Sequence, residues 1–307
     1  MRSVPRVLAN RPVLAAVLGA LTIAFSAIFV RLADVTPVTA AFFRCAYALP
    51  PLALLAWSER RRYGPRAPGQ RRLAWIAGAF FAADLVLWHY AIEQVGAGLA
   101  TVLGNTQVVF VPIAAWLILG ERPGARVAIS VPIVLLGVVL ISGVFGGEAY
   151  GQDPVLGVAF GIGTGIAYAG FLLVQRRANA DHRRPAGPLF DATLSAAACS
   201  LLIGLPLGTL DLVPSWPAHG WLLLLALGVQ VVGWLLISIS LPRLPAAITS
   251  VVLTLQPVGS VLLGIWLLGE APSAGQLLGV GLILVGLLVT TLRVRPRQWR
   301  RAQPQLG

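Results

Sequence analysis

Between residues 12 and 292 the chain is a succession of uninterrupted apolar runs, parted by short breaks. Ten runs can be marked: 12–30, 38–58, 73–94, 97–119, 125–145, 154–175, 189–210, 219–241, 244–268 and 274–292. About 20 apolar residues suffice for a helix to cross the hydrocarbon core of a bilayer. The breaks at 34–37, 64–69, 146–154, 185–188, 214–217 and 242–245 hold the turn-forming residues. With no water to satisfy backbone groups in lipid, each run is expected to be helical. The two-residue alternation of a membrane barrel is absent. Only 11% of residues are charged and 57% are hydrophobic, whereas a soluble domain carries about 25% charged residues. Charge that sparse cannot cover a water-facing surface. The first run follows a short basic segment and is longer than a signal-peptide core, so it is read as a retained helix.

The net charge of +12 would fit a nucleic-acid partner if the arginines were clustered on a soluble face. They are not. Threading ten spans puts both termini on one side, together with the arginines of 59–72, 121–126, 176–184, Arg243 and 293–301. The opposite side holds Arg31 with Asp34, then Glu93, Glu148, Asp153, Asp211 and Glu270. By the positive-inside rule the arginine-rich side is cytoplasmic. The expected location is the plasma membrane (the inner membrane of a bacterium), with both termini cytoplasmic. Adding or dropping one span scrambles this segregation.

The chain also repeats itself. Residues 97–143 align without a gap on 246–292, an offset of 149 positions. Identities include Ala97/Ala246, Gln107/Gln256, Gly120/Gly269, Glu121/Glu270, Pro123/Pro272 and Gly137/Gly286. Shared leucines alone would be composition; a Gln, a Gly-Glu and a Pro in one register indicate duplication. Five spans per copy is an odd number, so the copies cross the membrane in opposite senses. Inverted repeats of this kind recur in secondary transporters, with the substrate site at their interface. The expected fold class is therefore all-α integral membrane: ten transmembrane helices in two inverted five-helix repeats. The first repeat covers 1–148 and the second 149–293; a basic cytoplasmic tail follows at 294–307.

The run Ala24-Phe25-Ser26-Ala27-Ile28-Phe29-Val30-Arg31-Leu32-Ala33, followed by Pro37 and Phe42-Phe43-Arg44, resembles the opening of EamA domains. His89-Tyr90-Ala91-Ile92 and both Leu-Gly-Glu-x-Pro turns, at Leu119 and Leu268, do so as well. EamA domains belong to the drug/metabolite transporter superfamily, and the resemblance covers nearly the whole chain. It implies an inverted five-plus-five architecture. Spans one to four and six to nine would surround a central cavity, with the fifth and tenth outside it. It also implies export of amino acids, other metabolites or toxic compounds. The second half has no counterpart of Arg44, so any coupling role for that residue rests on the first half.

Ionisable residues within a span are costly to bury and are functional candidates by default. Arg44 and Asp84 are such residues. Three roles stand open: Arg44 as contact for a substrate carboxylate, Asp84 as a proton carrier, or the two as a structural ion pair. Trp88 and Trp234 are repeat mates at an offset of 146 and are expected to line the cavity, with packing as the competing reading. Their companions Trp75 and Trp221 sit near span ends and suit interfacial anchoring. Asn105 and Gln107 lie two residues apart, so on a continuous helix they face nearly opposite ways. Gln256, the repeat mate of Gln107, fits interhelical hydrogen bonding. Tyr168 and Gln230 are lone polar groups within spans, open between cavity and packing. The candidate substrate-binding set is Arg44, Asp84, Trp88, Asn105, Tyr168, Gln230, Trp234 and Gln256. His89 is assigned to packing or an outer vestibule.

Gly157, Gly161, Gly165 and Ala169 recur every fourth residue, as do Ala16, Ala20 and Ala24; such stripes let helices approach closely. Pro50, Pro51, Pro112, Pro132, Pro206 and Pro257 interrupt spans and are expected to bend them. Cys45 and Cys199 imply neither a disulfide framework nor a metal set. His89, His182 and His219 lack ligand spacing, and no ATP-binding loop is present. The expected function is secondary active export of small metabolites, without cofactor or catalysis. A facilitative carrier or channel is the alternative. The partners are a small-molecule solute and membrane lipid; the oligomeric state is left open.

Overall fold

A computed structural model of the chain describes residues 11–119, 124–143, 149–179, 181, 183–240 and 246–291. Among them the ordered elements are all helical: α1 (Pro12–Ala24), α2 (Ser26–Ala33), α3 (Pro37–Tyr63), α4 (Pro68–Val95), α5 (Ala97–Gly104), α6 (Gln107–Leu119) and α7 (Ala125–Ile141). Then come α8 (Pro154–Ala178), α9 (Ala186–Gly204), α10 (Trp216–Leu224), a π-helical segment (Leu225–Gly233), α11 (Trp234–Ser240), α12 (Ala246–Leu268) and α13 (Ala274–Thr291). Seven helices or joined helix pairs in the described residues are long and apolar enough to cross a membrane. The apolar α7, and apolar stretches of α12 (Leu255–Leu268) and α13 (Ala274–Val289), accompany them. The outer surface is apolar: Leu117, Leu202 and Trp266 are 73%, 71% and 80% exposed. Arg44, Asp84 and Gln230 are buried inside. A water-soluble protein has the reverse arrangement.

The termini of the helices follow from local chemistry. Pro12, Pro37, Pro68 and Pro154 open α1, α3, α4 and α8, where a missing N–H costs nothing. The Thr36 hydroxyl accepts from Thr39 N–H at 3.3 Å, and Asp153 accepts from Leu156 N–H at 2.9 Å; both are N-caps. Gly96 ends α4 at φ 87°, a conformation that favours glycine. The α9 helix stops at Gly204. Pro206 therefore lies in the following turn and bends no span, contrary to the sequence expectation.

Three spans that read as continuous in the sequence are interrupted. The first breaks at Phe25, between α1 and α2. The span at 97–119 breaks at Asn105-Thr106, between α5 and α6. Here two side chains compete for helical carbonyls: Asn105 Nδ2 donates to Thr101 O at 2.8 Å and Thr106 Oγ1 to Leu103 O at 2.6 Å. The span at 216–240 widens into π-helix over Leu225–Gly233. π-segments inside α-helices occur frequently at functional sites.

The small-residue stripes are packing seams. A Cβ on Gly157 would lie 2.4 Å from Val95, on Gly161 2.5 Å from Leu103, and on Gly165 2.4 Å from Thr106. The stripe on α8 therefore seats α4 and α5. Ala16, Ala20 and Ala24 are buried as well. The α7–α13 contact has a further regularity. A Cβ on Gly137 would meet Gly279 O and Ile283, while one on Gly286 would meet Ser130 O and Val134. Positions 130, 134 and 137 are the repeat mates of 279, 283 and 286. Each partner thus offers the same patch to the other, a two-fold contact. Rising numbers on α7 meet falling numbers on α13, so the two helices run antiparallel.

Candidate functional site

The breaks converge on a cavity of about 60 Å³. Ile23 and Ser26 reach it from the α1–α2 junction, Arg44 from α3, and Phe81, Asp84, Leu85 and Trp88 from α4. Thr101, Gly104 and Asn105 come from the α5 end, Thr164 and Tyr168 from α8, Trp234 from the start of α11 and Gln256 from α12. Helices α7 and α13 contribute nothing to its lining. Discontinuous helices around a polar site are a recurring way to present backbone and side-chain polar groups at membrane depth.

Arg44 is 4% exposed and is held by neutral partners. Its Nε donates to Gln230 Oε1 at 3.0 Å and its Nη1 to Ser26 Oγ at 3.2 Å. Gln230 Nε2 in turn donates to Thr193 Oγ1 at 3.2 Å. The guanidinium lies 5.7 Å from the Phe81 ring centroid and 5.9 Å from that of Trp88, within cation–π range. The π-segment supplies Gln230 and the α1–α2 break supplies Ser26, so two irregularities of the backbone hold one cation. Asp84 lines the same cavity, but among the described residues it forms no ion pair with Arg44. Glutamine and serine position the arginine without neutralising it, and Asp84 shares its small cavity.

Seven of the eight candidates from the sequence line this cavity: Arg44, Asp84, Trp88, Asn105, Tyr168, Trp234 and Gln256. The eighth, Gln230, is fully buried behind Arg44 as its hydrogen-bond partner. Of the pair Asn105 and Gln107, Asn105 lines the cavity and Gln107 does not, although the helix is interrupted between them. Ser26, Thr101, Thr164 and Thr193 were not singled out. Small hydroxyl residues in apolar spans commonly bond their own helix, so nothing in the sequence separates these four from the rest. Thr164 Oγ1 and Trp234 Nε1 are buried without a protein partner, and each offers a free donor at the cavity wall. His89 donates through Nδ1 to Pro37 O at 2.9 Å, tying α4 to the start of α3 in a packing role. Trp75 is 42% exposed, as an anchor would be, whereas Trp221 stacks on Phe29 with ring centroids 6.1 Å apart.

A second carboxylate joins the two copies of the duplicated stretch. Glu270 is 4% exposed and accepts from the backbone N–H groups of Ala97 and, at 3.0 Å, Gly98. These are free donors in the first turn of α5, where a negative charge is favoured. Room for the carboxylate exists because Gly96, Gly98 and Gly264 surround it; a Cβ on Gly264 would sit 2.3 Å from Glu270 Oε2. Burial holds the Glu270 carboxyl above the ordinary glutamate range, against the opposing pull of the two N–H donors and Arg31. Its repeat mate Glu121 lies outside the described residues.

A molecule whose described elements are all helical, with a lipid-compatible exterior and buried ionisable residues at its helix breaks, is, as a class, a polytopic integral membrane protein. The chain belongs to the EamA-like transporter family, whose model matches residues 10–143 and 155–292, and it is a membrane transporter. It is 23% identical over 277 residues to the uncharacterized transporter YwfM of Bacillus subtilis (strain 168), covering 87% of this chain and 88% of the relative. It is 28% identical over 214 residues to the threonine/homoserine exporter RhtA of Escherichia coli (strain K12), covering 68% and 67%. It is 27% identical over 280 residues to the pseudopaline exporter CntI of Pseudomonas aeruginosa (strain UCBPP-PA14), covering 90% and 94%. A solved crystal structure superposes with a TM-score of 0.60 at 19% identity, covering 92% of this chain and 96% of that one; that likeness bears on the fold alone.

Proposed function

We propose that the protein is a secondary active exporter of small zwitterionic metabolites, amino acids or closely related compounds, in a bacterial inner membrane. The observation that carries this reading is the Arg44–Asp84 cavity, in which a guanidinium and a carboxyl group are buried side by side with no ion pair between them among the described residues. Arg44 takes the carboxylate of the solute and Asp84 its ammonium group. Trp88, Tyr168 and Trp234 form the apolar walls, and Asn105, Gln256 and the free donors of Thr164 and Trp234 fix orientation. The relatives named as exporters support the direction of transport.

A cavity of about 60 Å³ is well below the roughly 300–1,000 Å³ of an ordinary ligand pocket. The solute therefore enters only when the helices around the cavity repack, as alternating access requires. In this reading ten spans form two inverted repeats, 1–148 and 149–293, with both termini and the 294–307 tail cytoplasmic. The antiparallel two-fold contact of α7 with α13 and the charge segregation support that topology. Glu270 then lies on the outer side, where it fastens the start of α5 to the α12–α13 turn.

Metabolite profiling of cells overproducing the protein, against cells lacking it, tests the substrate class. Depletion of an amino acid inside and enrichment outside is the expected result; unchanged amino acid pools would sink the assignment. In proteoliposomes, saturable flux driven by an imposed pH gradient is expected, and Asp84→Asn is expected to uncouple flux from the gradient. Undiminished pH-driven flux in that variant removes the proton role from Asp84.

A further inference from the structure

A second, larger cavity of about 250 Å³ lies at the far end of α3, against the starts of α4 and α9. Its polar rim carries Arg60, Arg66, Arg71 and Arg184, and its carboxylates are Glu59 and Asp191. These acids are already occupied. The Glu59 carboxylate accepts from Ala186 N–H at 2.9 Å and Gly187 N–H at 2.8 Å, capping α9. Asp191 Oδ2 faces two guanidiniums at once, Arg66 Nη2 at 2.5 Å and Arg71 Nε at 3.7 Å. Arg184 is held by Asp181 and by Gly64 O. Arg60 forms no ion pair among the described residues. The cavity therefore holds more positive charge than its own acids balance.

Within it, Arg66 Nη1 is buried without any protein acceptor. Leaving a buried charged donor unsatisfied is costly. The guanidinium cannot swing away easily, because it lies across the first turn of α9, with Arg66 Nε 2.9 Å from where a Gly187 Cβ would stand. The opposite wall is apolar, built from Ala53, Ala56, Trp57 and Phe190. Trp57 is 53% exposed and carries the Arg61 guanidinium 3.8 Å over its ring, the pattern of an aromatic residue at a membrane interface. A basic rim, a donor without an acceptor and an apolar wall that opens to lipid describe a receptor for an amphiphilic anion. Basic pockets between transmembrane helices are suited to anionic headgroups.

We infer that this pocket binds the phosphate of an anionic phospholipid headgroup, with Arg66 as the central donor, Arg60 and Arg71 beside it, and the acyl chains leaving along Trp57. The same phosphate chemistry is offered by soluble phosphate, and the experiment separates the two sources. The purified protein in neutral detergent is melted with increasing phosphatidylglycerol, phosphatidylcholine or inorganic phosphate. Arg66 is the close, buried brace of Asp191, whereas Arg71 reaches it only at 3.7 Å from an exposed position, so the test uses the exposed Arg60→Gln and Arg71→Gln variants, with Arg177→Gln as a control outside the pocket. Phosphatidylglycerol is expected to raise the melting temperature saturably, while the other two additives do not at the same concentration. Each pocket variant is expected to need about fivefold more phosphatidylglycerol for half the effect, and Arg177→Gln is not. Equal protection by phosphatidylcholine, full protection by inorganic phosphate alone, or an unchanged dose–response in the Arg60→Gln/Arg71→Gln double variant each overturns the proposal. So does an equal loss in Arg177→Gln. None of these outcomes depends on the solute carried through the central cavity.

Discussion

Arg44 and Glu270 are both buried charges, yet they are held in opposite ways. Arg44 is positioned by Gln230 and Ser26, neutral groups that fix its geometry without neutralising its charge. Glu270 spends its charge on two backbone donors of α5. Arg44→Gln is therefore expected to raise the KM for a carboxylate-bearing solute tenfold or more, since hydrogen bonds to charged groups contribute about 1.5–3 kcal/mol. Proteoliposome flux measures this, and an unaltered KM would show that the solute does not touch Arg44. Glu270→Ala leaves two N–H groups buried and unsatisfied, at a cost of about 1–3 kcal/mol, to be read as a lowered melting temperature. Glu270→Gln separates charge from packing. Because burial raises the folded-state pKa of Glu270 above 4.5, its titration favours the folded protein in acid, and that contribution is lost as pH rises through the folded value. The melting temperature of the wild type relative to Glu270→Gln should thus fall as pH rises from below 4.5 to neutrality. A difference flat across that range would mean that Glu270 titrates normally. The Gly-Glu signature was legible in the sequence as a repeated turn, but its partner was not. The donors it needs are main-chain atoms, which leave no mark in residue identity.

At the scale of elements, the runs themselves were readable because length and apolarity are summed over many residues. Their interruptions were not. The α5–α6 break follows from Asn105 and Thr106 choosing carbonyls of their own helix, a choice that either residue makes only in context. The π-segment carries no proline and only ordinary apolar neighbours around Gln230. Seven of the eight candidate residues nonetheless line one cavity; a polar or aromatic group inside an apolar run is conspicuous by itself. The double substitution Asn105→Ala/Thr106→Ala removes both competing hydrogen bonds. It is expected to favour a continuous helix across 97–119, to raise thermal stability by about 0.5 kcal/mol through helix propensity, and to lower flux. A loss of stability with flux intact would show that the break is maintained by packing and plays no part in transport.

At the scale of the whole molecule, the duplication was plain from aligned identities, and the two-fold contact of α7 with α13 is its physical counterpart. The inverted topology proposed above makes a direct prediction. In a background of Cys45→Ala and Cys199→Ala, single cysteines at the exposed Gly124 and Ala271 should be labelled by impermeant maleimide from opposite faces of sealed vesicles. Labelling from one common face would refute the inverted arrangement. The two-fold seam has a mechanical corollary. Where Gly137 and Gly279 meet, each would place a Cβ within 2.7 Å and 2.5 Å of the other's carbonyl oxygen. Sliding either helix by a residue drives a larger side chain into backbone, so shear along this line is blocked. The pair is a bolted post, and under the alternating access proposed above the remaining helices would have to move against it.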